Sequence, residues 1–197
     1  MFKLIDENVS KNAHFSEDEL AFFNSFLVLK KLPRRHFLLK PGEICNFEVF
    51  VVSGCIRKYF IDPQGVEVTL ALAIEDYWLG DFESYDNQVP SRIYMETLEP
   101  CTVLELSMPA KERLLKEMPK FERIFRLMLQ NHVSKFQERL IAMISKSAKE
   151  KYLDFMDRYP HIVNRVPQHY IASFLGISPE FLSKVRKKLS MQNRNVS

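Results

Sequence analysis

The stretch from Val166 to Leu189, VPQHYIASFLGISPEFLSKVRKKL, constrains this chain most. It reads as two short helices with Gly176 at the turn between them. Apolar residues fall at Ile171, Leu175, Ile177, Leu182 and Val185, and the small Ala172 stands where two crossing helices must come close. Pro167 suits the first turn of the leading helix, where a missing N–H costs nothing. Ser178-Pro179-Glu180 gives the second helix a cap, a proline and an acid at its positive end. This is a helix-turn-helix pattern, whose second helix is of the kind placed in a DNA major groove. The outward side chains of that helix are then Pro179, Glu180, Ser183, Lys184 and Lys187. An ordinary helical hairpin shares the glycine turn. The agreement of every buried position, together with the polar outer face, favours the DNA-binding reading.

Charge supports the same end of the chain. The net charge of the 197 residues is only +3, yet residues 145–197 hold ten Lys/Arg against four Asp/Glu. Residues 1–144 hold eighteen against twenty-one. A basic tail on a mildly acidic body suits a nucleic-acid partner. Hydrophobic content of 46% permits a real core, and no apolar run approaches the roughly 20 residues of a membrane span. The N-terminus carries Asp6 and Glu7 and lacks the apolar centre of a secretory signal, so a soluble cytoplasmic protein is expected. Cys45, Cys55 and Cys101 are few, odd in number and widely spaced, which favours buried free thiols over a zinc site or a disulfide framework.

Taken in order, the chain changes texture three times. Ser16-Glu17-Asp18-Glu19 is a capping box that opens a helix through Leu20, Phe23, Phe26 and Leu27. From Lys31 to Ser107 short β-prone segments alternate with turns. They are Phe37–Leu39, Val49–Val52, Cys55–Ile61, Val66–Ala73, Tyr77–Gly80, Ser91–Leu98 and Cys101–Leu106. Such regular short strands predict a small barrel or double-sheet roll. A brief helix follows Pro109, then a long one over about Lys120–Ser145. Its stripe includes Phe121, Phe125, Met128, Leu129, His132, Val133, Phe136, Leu140, Met143 and Ile144. The stripe needs cover, partly from the roll and partly from a second copy of the chain. Within it, Phe125, Met128, Leu129, His132, Phe136 and Leu140 are the candidate dimer residues. Ser147-Ala148-Lys149-Glu150 is a second capping box, opening a helix that ends at Tyr159-Pro160. The last residues, 191–197, read as a polar tail.

This order of elements resembles the Crp/Fnr superfamily of bacterial transcription regulators, with a cyclic-nucleotide-binding-type sensor domain. The resemblance covers about Ser16 to Leu189. It rests on Pro41-Gly42-Glu43, Val51-Val52-Ser53-Gly54, Asp62 with Gly65, Gly80-Asp81, and Gly176-Ile177-Ser178-Pro179-Glu180. It implies an α+β fold: an antiparallel, jelly-roll-like β-roll over residues 1–118, a long dimerisation helix over 119–145, and a C-terminal winged-helix or helix-turn-helix domain over 146–197. It also implies a homodimer on a palindromic double-stranded site, with RNA polymerase a further candidate partner and no membrane.

Carried onto this sequence, the resemblance makes Glu180 and Lys184 the base-reading pair, an acid followed four residues later by a base. Lys184 replaces the more frequent arginine and lacks its bidentate fork. Lys187 and Lys188 suit phosphates, and Gln168, His169, Ser178, Pro179 and Ser183 complete the candidate DNA contacts. The candidate effector pocket comprises Gly80, Asp81, Glu83, Ser84, Ser91 and Arg92. A cyclic-nucleotide binder holds ribose with a glycine-acid pair and phosphate with an arginine about ten residues on. Here Ser91 stands at the arginine's place, and a one-residue displacement turns Arg92 to the opposite face. Glu83 and Asp86 add negative charge, so cAMP is not the expected effector. Either the pocket is filled by its own side chains, Trp78, Phe82 and Tyr85 among them, or it takes an unrelated small effector; no cofactor is identified.

Three other readings stand beside this one, the first a regulator that does respond to cAMP or another cyclic nucleotide. A sensory or scaffolding module would use the helix-turn-helix against protein, without salt-dependent DNA affinity. An enzyme needs a nucleophile and base held together or a clustered metal site. His14, His36, His132, His161 and His169 are scattered singly, and no Gly-rich phosphate loop is present, so neither catalytic nor metal residues are assigned.

Overall fold

The computed structural model describes residues 2–194, the side chains of 190 and 192–194 excepted. Helix α1 (Lys3–Ser10) and helix α2 (Glu17–Asn24) come first. Strands β1 (Val28–Leu32), β2 (Phe37–Leu39), β3 (Phe47–Ser53), β4 (Ile56–Ile61), β5 (Glu67–Ala73) and β6 (Tyr77–Leu79) follow, then the short helix α3 (Phe82–Asn87). Strands β7 (Tyr94–Thr97) and β8 (Cys101–Ser107) lead into α4 (Met108–Glu117), α5 (Lys120–Ser145), α6 (Ala148–Arg158), α7 (Gln168–Leu175) and α8 (Pro179–Arg194). The strands form two four-stranded sheets, ordered β1-β8-β3-β6 and β2-β7-β4-β5. This is the expected antiparallel roll.

Period-two alternation sorts the strand residues. Leu39, Ile56 and Met95 from one sheet meet Val49, Val51, Leu79 and Val103 from the other and fill the roll, with Cys45 and Cys101 among them. On its other face the first sheet presents Phe50, Leu104 and Leu106 to Ile5, Val9, Phe23, Leu114, Phe121 and Ile124 of the surrounding helices. Phe121 stacks on Phe15 and Phe23 at centroid distances of 4.9 and 4.6 Å. Lys111 reaches the Glu48 carboxylate at 2.9 Å, so the charge on the helix-covered side of β3 is paired. All three cysteines are buried free thiols, as the sequence indicates.

The chain forms two compact units. The first runs to Phe60 and from Ala71 to His132; the second holds Ile61–Leu70 and everything from Val133 onward. In the second unit Ser147 and Glu150 close a capping box at the start of α6, the Ser147 amide donating to the Glu150 carboxylate at 2.8 Å. Tyr152, Phe155, Ile162, Val166, Ile171, Ala172, Leu175, Leu182 and Val185 are buried there. The helix-turn-helix alternative is the one realised, because no strand follows α5 among the described residues to make a wing.

Several boundaries differ from expectation. The capping box at Ser16 is present, but α2 stops at Asn24, and Val28–Leu32 pairs with β8 as an edge strand. Its exposed-intermediate burial pattern gives Val-Leu-Lys-Lys-Leu too weak an apolar signal to separate it from a helix end. Helices α1 and α3 are additional to the expected elements: α3, six residues long, is too short for periodicity to mark, and α1 has no capping side chain at its start. Pro167 stands just ahead of α7 rather than in its first turn. Residues 191–194 continue α8 and do not form a tail, while 195–197 lie outside the described residues.

Gly54, at the β3–β4 corner, shows how tightly the roll closes. Its φ is +102°, and an added Cβ would stand 2.5 Å from the Cys101 Sγ and 2.8 Å from the Pro100 carbonyl oxygen. Gly54→Ala is expected to cost about 2–5 kcal/mol, strain and overpacking together. A urea-unfolding midpoint unchanged from wild type would refute this.

Candidate DNA interface and effector site

The helix-turn-helix is built from the turn outward. Gly176 takes φ +65°, and its amide donates to the Ser173 carbonyl while the Ile177 amide reaches back to the Ala172 carbonyl at 3.0 Å. This 6→1, 5→2 pairing ends α7 with a left-handed residue, a role open to glycine without strain. The Ser178 hydroxyl accepts from the Phe181 amide at 3.2 Å, which starts α8. Helix-start amide hydrogen bonding and the Ser178 hydroxyl hold the Glu180 carboxyl below the usual carboxylate range, so it is ionised at neutral pH.

The burial pattern sorts α8 as its spacing predicts. Leu182 and Val185 face inward, and Ile177 is half-buried. Ser178, Pro179, Glu180, Ser183, Lys184, Lys187 and Lys188 are all exposed. Arg186, the remaining cation of this stretch, is half-buried near Tyr152 and does not join them. On α7, His169 is exposed, whereas Gln168 is half-buried and its amide nitrogen donates to the Val163 carbonyl at 3.4 Å.

Sequence patterning missed what ties this pair of helices down. Arg139 of α5 donates to the Thr69 carbonyl at 3.1 Å, to the Phe174 carbonyl at 2.8 Å and to the Leu70 carbonyl, and lies 4.0 Å above the Phe174 ring. The Ser173 hydroxyl donates to the Glu67 carbonyl and accepts from the Thr69 amide, both at 2.9 Å. These partners are 35 to 106 residues apart, so no local pattern announces them.

On α5 the candidate dimer residues separate into two groups. Phe125 and Met128 pack onto the helical side of the first sheet, and Phe125 lies edge-on to Trp78 at 6.0 Å. His132 sits between Tyr77 and Phe82, with the Tyr77 hydroxyl 3.3 Å from its Nε2. Leu129, Phe136 and Leu140 are exposed, joined by Val133 and Met143. The five exposed residues are spaced four, three, four and three apart, the repeat of a coiled-coil seam.

The six effector candidates also divide. Gly80, Asp81, Ser84 and Ser91 are buried together at the head of α3. The Ser91 hydroxyl donates to the Asp81 carboxylate at 2.7 Å, and Ser84 accepts from the Cys45 amide while donating to the Val89 carbonyl. Arg92 and Glu83 leave the cluster and pair with each other in solvent at 3.0 Å. Residue 91 therefore points inward and residue 92 outward, as expected, although both precede β7. Trp78 and Phe82 do not fill the site.

 Trp78 turns to Phe50 and donates its indole N–H to Asn8 at 3.1 Å, and Phe82 is over a third exposed with its ring edge-on to His132. Only Tyr85 of that expected trio is buried, and burial pushes its hydroxyl pKa up. The roll interior holds a residue that alternation along β4 marks as inward, Lys58 beside Ile56. Its Nζ donates to the Gly80 carbonyl at 2.6 Å. Burial lowers the Lys58 pKa, against an opposing pull from Asp81.

Residues 29–118 match the family model of the cyclic nucleotide-binding domain. No curated protein sequence matches the chain. Among solved structures it is similar in fold to the c-di-GMP responsive global regulator CLP of Xanthomonas campestris. The TM-score is 0.73 at 14% identity, over 90% of this chain and 93% of that one. FixK2 of Bradyrhizobium japonicum gives 0.73 at 17%, over 85% and 86%. The catabolite activator protein of Thermus thermophilus gives 0.56 at 16%, over 91% and 85%. The resemblance to Crp/Fnr-type regulators drawn from the sequence thus extends to the three-dimensional fold. No helix among the described residues is long and apolar enough to cross a membrane.

With Ser91 committed to Asp81 and Arg92 in solvent, cAMP at 100 µM is expected to leave the melting temperature unchanged. Binding at a Kd of 10 µM would stabilise by about 1.4 kcal/mol, or about 3–6 °C for a chain of this size. A rise of that order in a thermal-shift measurement would overturn the expectation.

Proposed function

We propose that this chain, which has the fold of Crp/Fnr-type regulators, is a cytoplasmic, homodimeric, sequence-specific DNA-binding transcription regulator. Its sensor roll responds to something other than cAMP. The observation that carries the reading is α8 itself: an apolar inner side packed within its own unit and an exposed outer side of Glu180, Ser183, Lys184, Lys187 and Lys188. A packed hairpin with no partner would not need three unburied lysines aligned on that side.

In this reading α8 enters a major groove by its N-terminal end. The ionised Glu180 accepts from a cytosine amino group, and Lys184, one turn on, donates to guanine. Lys187 and Lys188 hold phosphates, with His169 at the start of α7 on the neighbouring backbone. The coiled-coil-like seam from Leu129 to Met143 is covered by the same seam of a second copy, which places two reading helices on a two-fold-related site. A sensor roll whose state biases α5 would then set the spacing of those helices.

Lys184→Ala is expected to lose about 1–3 kcal/mol of discrimination at one base pair per half-site. Lys187→Ala should instead weaken binding evenly across sequences and lower the slope of log K against log salt by about 1 per subunit. Binding to a selected palindrome across a salt series separates the two, and unchanged specificity in the first variant removes its assigned role. Phe136→Glu, in the middle of the seam, should give monomers in sedimentation and loss of tight operator binding. A stable dimer in that variant would remove α5 as the interface.

A further inference from the structure

A large apolar side chain stands in the first turn of α8, among its exposed polar residues. Phe181 is 50% exposed in the helix's first turn, between the exposed Glu180 and the buried Leu182. It shares a stripe with Lys184 and Lys188, three and seven residues on, both exposed. The α-carbon to β-carbon bonds of a helix lean toward its N-terminus, so a first-turn side chain projects toward the end that goes deepest into a groove. Folding of the helix pair does not call for a large apolar ring at this place. Leu182 and Val185 already make the inward contact.

We propose that Phe181 is a specificity-determining residue that reads the C5 methyl group of a thymine in the major groove. This rests on the DNA-binding reading of α8 and adds to it a base that Glu180 and Lys184 do not read. The methyl is the single apolar group on the major-groove edge of an A·T pair, and a phenylalanine is among the side chains suited to meet it. The flanking lysines supply the charge that brings a polyanion against an otherwise unfavourable exposed ring. The operator is accordingly expected to carry a thymine in each half-site beside the pair read by Lys184.

The test is to select an operator with the full-length protein, then replace its thymines one at a time by deoxyuridine, which removes only the methyl. Wild type should lose about fourfold in affinity at one position per half-site and about fifteenfold when both symmetric positions are changed. Phe181→Ala should bind the thymine and uracil operators equally, whereas Phe181→Leu, which keeps an apolar reach, should retain part of the difference. Thermal unfolding of each variant at the wild-type temperature shows that the fold is intact. Salt-dependent operator binding by wild type with no uracil penalty at any position overturns the role of Phe181 alone. The same penalty in Phe181→Ala as in wild type does so too. Failure to bind any duplex at low salt overturns the reading of α8 on which it rests.

Discussion

Val49, Phe50 and Val51 are successive residues of β3, and all three are fully buried. A strand dry on both faces needs two layers of cover. Val49 and Val51 turn into the roll, and Phe50 turns out toward helices. Each fully buried side chain of this size contributes about 1.5–3 kcal/mol, so neither layer is optional. The first two helices and α4 cannot fill the outer layer alone; Phe121 and Ile124 of α5 complete it. That requirement pins the beginning of α5, where Phe121 stacks between two other aromatic rings and Lys120 pairs with Glu19 at 2.9 Å. Past His132 the helix continues with the same apolar period, and Val133 and Phe136 there are 57% and 62% exposed.

In the second unit a single cation performs the corresponding task. The guanidinium of Arg139 faces three backbone carbonyls, those of Thr69, Leu70 and Phe174. Phe174 lies in the last turn of α7, where carbonyl groups have no partner within their own helix and the helix dipole favours positive charge. Planar donors in a fixed fork can satisfy several such oxygens at once, which a lysine ammonium does less well. Ser173 adds two more backbone bonds to the same strand end. The turn of the helix-turn-helix is therefore held both by its own glycine and by polar contacts from distant parts of the chain.

Legibility in the sequence followed the range of the interaction. Strands β2 through β8 were readable because alternation and turn residues are local, and α5, α7 and α8 because their apolar periods run for two turns or more. The inward sense of Ser91 and the outward sense of Arg92 match the alternation expected of a strand, although β7 itself begins only at Tyr94. Strand β1 was not, since an edge strand with half-exposed apolar residues differs little from a helix end, and α3 is too short to show a period. The occupants of the pocket differ from expectation because aromatic size alone does not say which face of a sheet a ring covers. Trp78 belongs to the opposite face of its sheet, where Asn8 offers its indole a partner. The inward Lys58 is not legible, because a lysine in a β-rich stretch reads as a surface residue unless its neighbours Ile56 and Met95 are known to face inward.

The sensor cluster also shows why a family pattern cannot be transferred by position alone. An arginine at residue 91 would bring a charge to bind a phosphate, and the acid at 81 would be free for a sugar hydroxyl. With serine there, the nearest donor for Asp81 is Ser91 itself, and the two satisfy each other within the protein. Lys58 is the one cation in the described cluster, and its Nζ is spent on the Gly80 carbonyl at the head of α3. An anionic ligand would have to displace that bond while approaching a buried carboxylate. The polar groups of the cluster thus hold its own loop together.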